Sequence, residues 1–354
     1  MKRCIKYCSI EQLRSVITNI NRQISFVGFD EKNEPIYDPT IPKPILTFIG
    51  TCKLHGTNMG ISFNNIDGLW FQSRTGVITP QNDNAGAAFS GEVNREAWLK
   101  LLNQVKEEND IDLDNNSITI YGEWVGKSIQ KGVGISNLEK SAFIFGVKIS
   151  PNKNEDLEKQ VPSYWVNSTN LRSPENRIYN IVDYGEYPIE IDFNVPQLAQ
   201  NKIIDLTLQV EKECPVAKAF GFPNTIGEGL VFSCEYKGTQ YLFKSKGNLH
   251  SKSSVKTLKP VDDERINKII ELSQKVSPNW RMEQMLNETF DFINGGQIDR
   301  KKLGDYIKAV INDIIKEESD VIVEAGFEIK DIGKYVSEIS RQYFFDMEKE
   351  LTGI

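Results

Sequence analysis

The sequence predicts an α+β protein, an antiparallel-sheet domain over residues 1–259 followed by a small all-helical domain over residues 260–354. Three observations carry the prediction. From Ile24 to Thr79, and again in later runs up to Lys246, short strand-like stretches are broken by turn residues such as Gly, Asp and Pro, the pattern of half-buried strands. From about Val261 the apolar period lengthens to that of helices. The chain has 354 residues and 39% hydrophobic content, enough for one large core and one smaller one.

At the start, Ser9-x-x-Gln12 reads as a capping box, and Leu13, Val16, Ile17 and Ile20 follow at helical spacing. A packing helix is expected over about Ile10 to Arg22. The apolar run Pro44 to Gly50 and the alternating run Met59 to Phe63 read as strands, joined by Thr51-Cys52-Lys53-Leu54-His55-Gly56-Thr57-Asn58. A lysine on a rigid strand end beside a glycine can act as a nucleophile where its ammonium is discouraged and an electrophile is cradled. Lys53 is that candidate. Asp67-Gly68 joins Ile61-Ser62-Phe63 to Leu69-Trp70-Phe71 as a hairpin. Its second arm ends at Ser73-Arg74-Thr75-Gly76, which brings Arg74 close to Lys53.

Asn94 to Glu108 is a packing helix, with Trp98, Leu101, Leu102 and Val105 on one face. The strand from Ile118 ends in Gly122-Glu123-Trp124-Val125-Gly126-Lys127-Ser128. This is no Walker loop, because the motif needs four residues between its glycines and a following helix, and neither is present. Ser141 to Ile149 reads as a further alternating strand. Ser150 to Asn180 is polar, either an insertion over a pocket or a surface excursion. Ile189 to Phe193 is a strand, and Pro196 to Lys212 a helix that stops before Pro215. Gly227-Glu228-Gly229-Leu230-Val231-Phe232 is a strand opened by a glycine-flanked acid, and the Lys237-Gly238 turn leads to its partner, Tyr241 to Lys246. Period-two geometry puts Lys244 and Lys246 on one face, where two ammonium groups repel unless an anion lies between them. Beyond, Ile266 to Leu272, Met282 to Phe292, Leu303 to Ile315 and Ile329 to Met347 read as helices. Ser277-Pro278-Asn279 and Asn294-Gly295-Gly296 serve among their breaks.

No run approaches the roughly 18 apolar residues of a membrane span, and the first residues lead into Ser9-Ile10-Glu11-Gln12 rather than an apolar signal core. A cytoplasmic chain with no membrane partner is expected. The five cysteines (Cys4, Cys8, Cys52, Cys214, Cys234) have no Cys-x-x-Cys spacing, which favours reduced thiols over a zinc site. The formal net charge of -7 speaks against nucleic-acid binding by bulk charge. Between Lys237 and Pro260, however, stand six lysines (Lys237, Lys244, Lys246, Lys252, Lys256, Lys259) and His250, with no acid. Such a segment suits a phosphate.

Taken in order, these segments resemble the RNA ligase 2 family of covalent nucleotidyltransferases, which includes phage nick-sealing RNA ligases and kinetoplastid RNA-editing ligases. The resemblance is carried by Lys53-Leu54-His55-Gly56-Thr57-Asn58, with His55 where DNA ligases and capping enzymes usually have Asp. It continues through Arg74, Tyr121-Gly122-Glu123-Trp124, Phe145, Glu228-Gly229-Leu230-Val231 and Lys244-Ser245-Lys246. It implies an antiparallel-sheet nucleotidyltransferase fold of the ATP-grasp-like ligase type, and a helical domain like that of the phage-type members. It also implies an ATP-dependent RNA ligase that joins 3'-OH and 5'-phosphate ends, at nicks in duplex RNA, through a lysyl-AMP intermediate and an RNA-adenylate. Lys53, Glu228, Lys244 and Lys246 would be catalytic. Lys53, Asn58, Arg74, Glu123, Phe145, Lys244 and Lys246 would bind the nucleotide, with Phe145 stacking on adenine and Glu123 reaching the ribose or ordering the lysine. Glu228 would help to place Mg²⁺. ATP and Mg²⁺ are the implied cofactors and RNA ends the implied partner, on a monomeric chain. Gly146 departs from the family, which commonly has Asp there. Two other readings stand beside this one: a DNA ligase or capping guanylyltransferase, and a non-catalytic nucleic-acid-binding homologue.

Overall fold

The structure, a computed structural model, describes residues 2–30, 32–38, 40–152, 162–247, 249, 258–291 and 296–352. His250, Lys252 and Lys256 of the basic segment, Asn294 and Gly295 of the last expected turn, and Phe292 lie outside the described residues, as does 153–161 of the polar stretch. The chain forms two compact units, one of Met1–Ile17 with Ile45–Pro260, the other of Thr18–Pro44 with Val261–Ile354. The sequence reading counted residues 18–44 with the first domain; as compact units, they go with the helices.

In chain order come α1 (Leu13–Ser25), the hairpin β1 (Phe26–Phe29) and β2 (Pro35–Tyr37), then β3 (Ile45–Cys52), β4 (Thr57–Asn64), β5 (Gly68–Gln72) and β6 (Val77–Ile78). Next are α2 (Ala87–Val93), α3 (Arg95–Asn109), β7 (Asn116–Val125), β8 (Ser141–Pro151), β9 (Tyr164–Val166), β10 (Ile178–Asn180) and β11 (Glu186–Asp192). They are followed by α4 (Gln200–Lys212), α5 (Pro215–Ala219), β12 (Gly229–Tyr236) and β13 (Thr239–Lys246). The chain ends in α6 (Asp263–Val276), α7 (Asn279–Phe290), α8 (Leu303–Glu324) and α9 (Ile329–Thr352).

The first unit holds two sheets. One runs β10-β8-β7-β4-β5-β6, with β9 also on β8, and the other runs β11-β3-β12-β13. Pairing is antiparallel except where β10 lies parallel to β8. One face of the larger sheet packs on α3, whose Trp98, Leu101, Leu102 and Val105 meet Ile61, Ile118, Ile120 and Ile144 in a single buried cluster. Each such side chain contributes roughly 1.5–3 kcal/mol by leaving water. In the smaller sheet Phe232 stacks on Phe243 with centroids 4.9 Å apart, and Phe48 lies 5.4 Å from Phe243.

Two expectations change. The first helix begins at Leu13, not near Ile10, because the main chain at Glu11 is already committed: its N–H donates to the Leu242 carbonyl at 2.9 Å and its carbonyl accepts from Lys244 at 3.2 Å. Ser9 stands four residues ahead of that helix and lines a cavity. Nor does the strand over Ser141 to Ile149 alternate throughout. Tyr121 pairs with Gly146 but Gly122 with Ile144, so Phe145 is the extra residue of a β-bulge, a device that re-aims a side chain.

In the second unit Met282, Tyr306, Val310, Ile314, Ile332, Val336 and Phe344 make one core between α7, α8 and α9. Arg281 is buried beneath it, its charge met by Asp313 and Glu318 at 2.8 Å each, as a buried cation requires. Asp262 caps α6 by accepting the Arg265 N–H at 2.8 Å. Among the described residues no helix is long and apolar enough to cross a membrane.

Candidate active site

Lys53 stands where the chain leaves the smaller sheet for the larger one. β3 ends at Cys52, the Lys53 N–H donates to the Gly229 carbonyl at 2.8 Å, and β4 begins at Thr57. The crossing is held from the far sheet, where the Gly56 N–H donates to Glu123 Oε1 at 3.1 Å. Only glycine fits there: a Cβ on Gly56 would lie 2.3 Å from the Trp124 carbonyl oxygen.

Glu228 binds two lysines at once. Lys53 Nζ lies 2.6 Å from Oε2 and Lys246 Nζ 2.6 Å from Oε1, while the carboxylate itself is only 3% exposed. His55 Nδ1 stands 3.4 Å from the same Oε2. Burial pushes the Glu228 carboxyl up, but the Lys53 charge and the lysine hydrogen bonds outweigh it and hold it below the ordinary carboxylate value. Gly229, at φ 137°, lets β12 start hard against β13; a Cβ there would meet the Ser245 carbonyl oxygen at 2.1 Å.

Lys244 and Lys246 share one face of β13, as period two requires, while Ser245 between them turns inward to the Thr207 hydroxyl at 2.8 Å. Burial lowers the Lys244 pKa, and the neighbouring charges of Lys246, Lys53 and Arg74 lower it further. Among the described residues neither Lys244 nor Arg74 has a carboxylate within ion-pair distance. Fixed cations that repel one another and face open space await an anion. Glu123 is pushed up to about 7 by burial, only partly opposed by the Lys53 charge and the Gly56 N–H.

These groups surround one cavity of about 740 Å³, lined from both sheets. Lys53, Asn58, Arg74, Glu123, Phe145, Lys244 and Lys246 all line it, and Glu228 sits behind the two lysines it pairs. The expected candidates thus converge from β4, β7, β8, β13, the turn after β5, the residue that follows β3 and the residue that precedes β12. The basic segment divides: Lys244 and Lys246 face the cavity, whereas Lys237 lies over the Tyr236 ring at 5.5 Å.

Sequence reasoning missed Tyr7. Its ring lies 4.9 Å from Phe145, 5.0 Å from Tyr121 and 5.1 Å from Trp165, closing the aromatic end of the cavity. The extended segment that carries it is strapped across the larger sheet. Gln72 holds Ile5 from both sides at 3.0 and 2.6 Å, the Tyr121 hydroxyl donates to the Ile5 carbonyl at 2.7 Å, and Trp70 Nε1 donates to the Arg3 carbonyl at 2.9 Å. The departure at Gly146 has its counterpart here, since a Cβ on Gly146 would already touch the Tyr7 ring at 3.4 Å. A longer side chain would displace that ring. The spacing of Ile5 and Tyr7 was the available signal, too short to stand out beside the capping pattern that follows.

A divalent ion suits this donor set only together with a phosphate-bearing ligand. Among the described residues no cluster of three or more His, Cys, Asp or Glu could hold a metal, but Mg²⁺ commonly binds through one carboxylate and substrate phosphates. Glu228 is the one carboxylate among the described residues paired with the cavity's lysines, and an ion there would share its oxygens with Lys53 and Lys246.

A family model described as RNA ligase matches residues 46–246, more than half of the chain. No curated protein matches. Among solved structures, Naegleria gruberi RNA ligase with PPi is 14% identical at a TM-score of 0.41, covering 70% of this chain and 57% of that one. A mutant of that ligase with ATP and Mn is 16% identical at a TM-score of 0.42, with coverage of 70% and 57%. Another mutant, with AMP and Mn, is 16% identical at 0.39 with the same coverage. The chain therefore spans little more than half the length of these chains.

Proposed function

The chain belongs to the RNA ligase family, and from that premise we propose that it is an ATP-dependent RNA ligase that seals 3'-OH and 5'-phosphate ends, at nicks in duplex RNA. Residues 1–259 would be the adenylyltransferase domain and 260–354 the helical domain that serves sealing. The observation that carries the reading is the pairing of Lys53 and Lys246 on Glu228 beside the cation pair Lys244 and Arg74, all at one cavity.

In the first step Lys53, once deprotonated, attacks the α-phosphorus of ATP; an N–P bond forms, the bond to the β-phosphate bridging oxygen breaks and pyrophosphate leaves. The lysyl-AMP then passes AMP to the 5'-phosphate of the RNA, and the 3'-hydroxyl displaces AMP to seal the strand. Lys244, Lys246 and Arg74 supply fixed positive charge to the phosphoryl oxygens, where negative charge grows in each step. Phe145 offers its ring to the adenine, Glu123 and Asn58 the polar contacts of the sugar end. Glu228 would hold Mg²⁺, whose chemistry is to neutralise phosphoryl charge.

Incubation with α-labelled ATP or α-labelled GTP and magnesium, followed by denaturing electrophoresis and peptide mapping, tests the reading. Label from ATP on Lys53, lost in Lys53→Ala, is expected. Label from GTP alone would turn the reading to capping. No label from either, in protein stripped of bound AMP by pyrophosphate, would favour a non-catalytic binding homologue.

A further inference from the structure

The inward face of α4 carries two polar side chains where a packing helix would place apolar ones. Ile203, Thr207, Val210 and Glu211 lie buried along it, at the spacing of one helical stripe. The Thr207 and Ser245 hydroxyls are hydrogen-bonded at 2.8 Å. One turn later, Glu211 Oε1 accepts the Leu249 N–H at 2.8 Å, and the carboxylate lies where a Cβ on Gly247 would overlap it. Lys246 is thus gripped on both sides, through Ser245 before it and through Gly247 and Leu249 after it. The reaction above gives Glu211 no part.

The same residue reaches the other half of the ion pair. The Gly227 N–H donates to the Glu211 carbonyl at 3.2 Å, satisfying one of the carbonyls that a helix leaves over at its C-terminus. The approach is close, since a Cβ on Gly227 would meet the Val210 carbonyl oxygen at 2.5 Å. Glu211 therefore holds the residue before Glu228 by its main chain and the residues after Lys246 by its side chain. Both anchors adjoin in sequence the members of one ion pair, Lys246 Nζ and Glu228 Oε1, 2.6 Å apart.

We propose that Glu211 is a positioning residue for the chemistry at Lys53: its carboxylate fixes the turn after β13 and so sets Lys246 on Glu228. The kinetic consequence rests on the ligase reading. A carboxylate is costly to bury, and a leucine would suit the face of a packing helix; what Glu211 supplies is an acceptor for a backbone N–H. Glutamine offers the same oxygen without the charge, and alanine offers none. Lys244 is held separately, its N–H donating to the Glu11 carbonyl at 3.2 Å, so losing the carboxylate should release Lys246 and leave Lys244 in place. Lys246 matters most where phosphoryl charge grows, in the transition state. A displacement of about 1 Å at a reacting group can cost on the order of a hundredfold in rate.

Lys53 labelling from α-labelled ATP with magnesium is followed in a single turnover of the full chain at varied ATP concentration. The wild type is compared with Glu211→Ala, Glu211→Gln, Lys246→Ala and the double variant of Lys246→Ala with Glu211→Ala, and each melting temperature is measured. Glu211→Ala should lower the saturating rate by roughly ten- to a hundredfold, with the half-saturating ATP concentration little changed. Glu211→Gln should restore the rate. In the Lys246→Ala chain, Glu211→Ala should cost little more, because the group it acts through is gone. Leu249→Pro removes the donated N–H at an exposed position; it should lower the rate as Glu211→Ala does, and it decides the matter if Glu211→Ala fails to fold. A lower melting temperature at an unchanged rate, a Glu211→Gln chain as slow as Glu211→Ala, or equal losses with and without Lys246 would overturn the proposal. A wild-type chain that takes no label overturns the ligase reading and the kinetic consequence with it. A wild type that takes label, with any of those three results, overturns the positioning role alone.

Discussion

Glu123 and Glu228 are two carboxylates of one site shifted in opposite directions. Burial dominates at Glu123 and raises it from 4.5 to about 7, whereas two ammonium groups dominate at Glu228 and lower it. For Glu123 the folded value lies above the unfolded one. Stability from its protonated form is therefore fully present below about 4.5 and lost as the pH rises through about 7. Thermal unfolding of the ligand-free chain between pH 5 and 8 should show this fall, and Glu123→Gln should flatten it. Unchanged slopes in the variant would mean that Glu123 is not the titrating group. Glu228 works in the other sense, with stability present above its unfolded value and lost on acidification, so Glu228→Gln should weaken the acid limb alone.

At the scale of elements, the glycines and the bulge decide where these side chains go. Gly229 combines φ 137° with a backbone atom 2.1 Å from any added Cβ. Gly229→Ala should cost at least about 1–3 kcal/mol from backbone strain alone, read as a lower midpoint in urea, and it should also abolish ATP labelling because Glu228 leaves its lysines. The motif Glu228-Gly229 was legible in the sequence as a glycine-flanked acid, and the hairpin of β12 and β13 as alternation around Lys237-Gly238. The bulge at Phe145 was not, since one inserted residue leaves composition and spacing almost unchanged while reversing which face follows. Tyr7 escaped for a related reason: its segment has no regular partner strand, and side chains such as Gln72 and Tyr121 hold its backbone instead.

At the scale of the molecule, charge is divided unevenly. Residues 261–354 hold 20 of the 49 acidic and 13 of the 42 basic residues, a net -7 that equals the charge of the whole chain. The remaining 260 residues are neutral overall, and Lys6, Lys53, Lys244 and Lys246 among them line the cavity. An acidic helical block is a poor holder of phosphates, so on the proposed ligase reading its part in sealing would be to position rather than to neutralise. Truncation after Pro260 should leave ATP labelling in place and weaken nick sealing. The slope of log affinity for RNA against log salt should hardly change, because that slope counts neutralised phosphates. A much shallower slope would return the RNA cradle to the helices. Thr18–Pro44 shares its compact unit with Val261–Ile354, so the truncated chain should also unfold at a lower temperature.

The sequence by itself determined the α+β class, the change from strands to helices near Val261, and the residue types and order that the site requires. Those follow from periodicity and from local spacing, which the chain carries along its own length. Only the tertiary structure decided that Glu228 takes both Lys53 and Lys246 and that Tyr7 occupies the room beside Gly146. Each of these joins segments distant in sequence, and the contact depends on how two sheets and a strap are brought together, a geometry that no local pattern encodes.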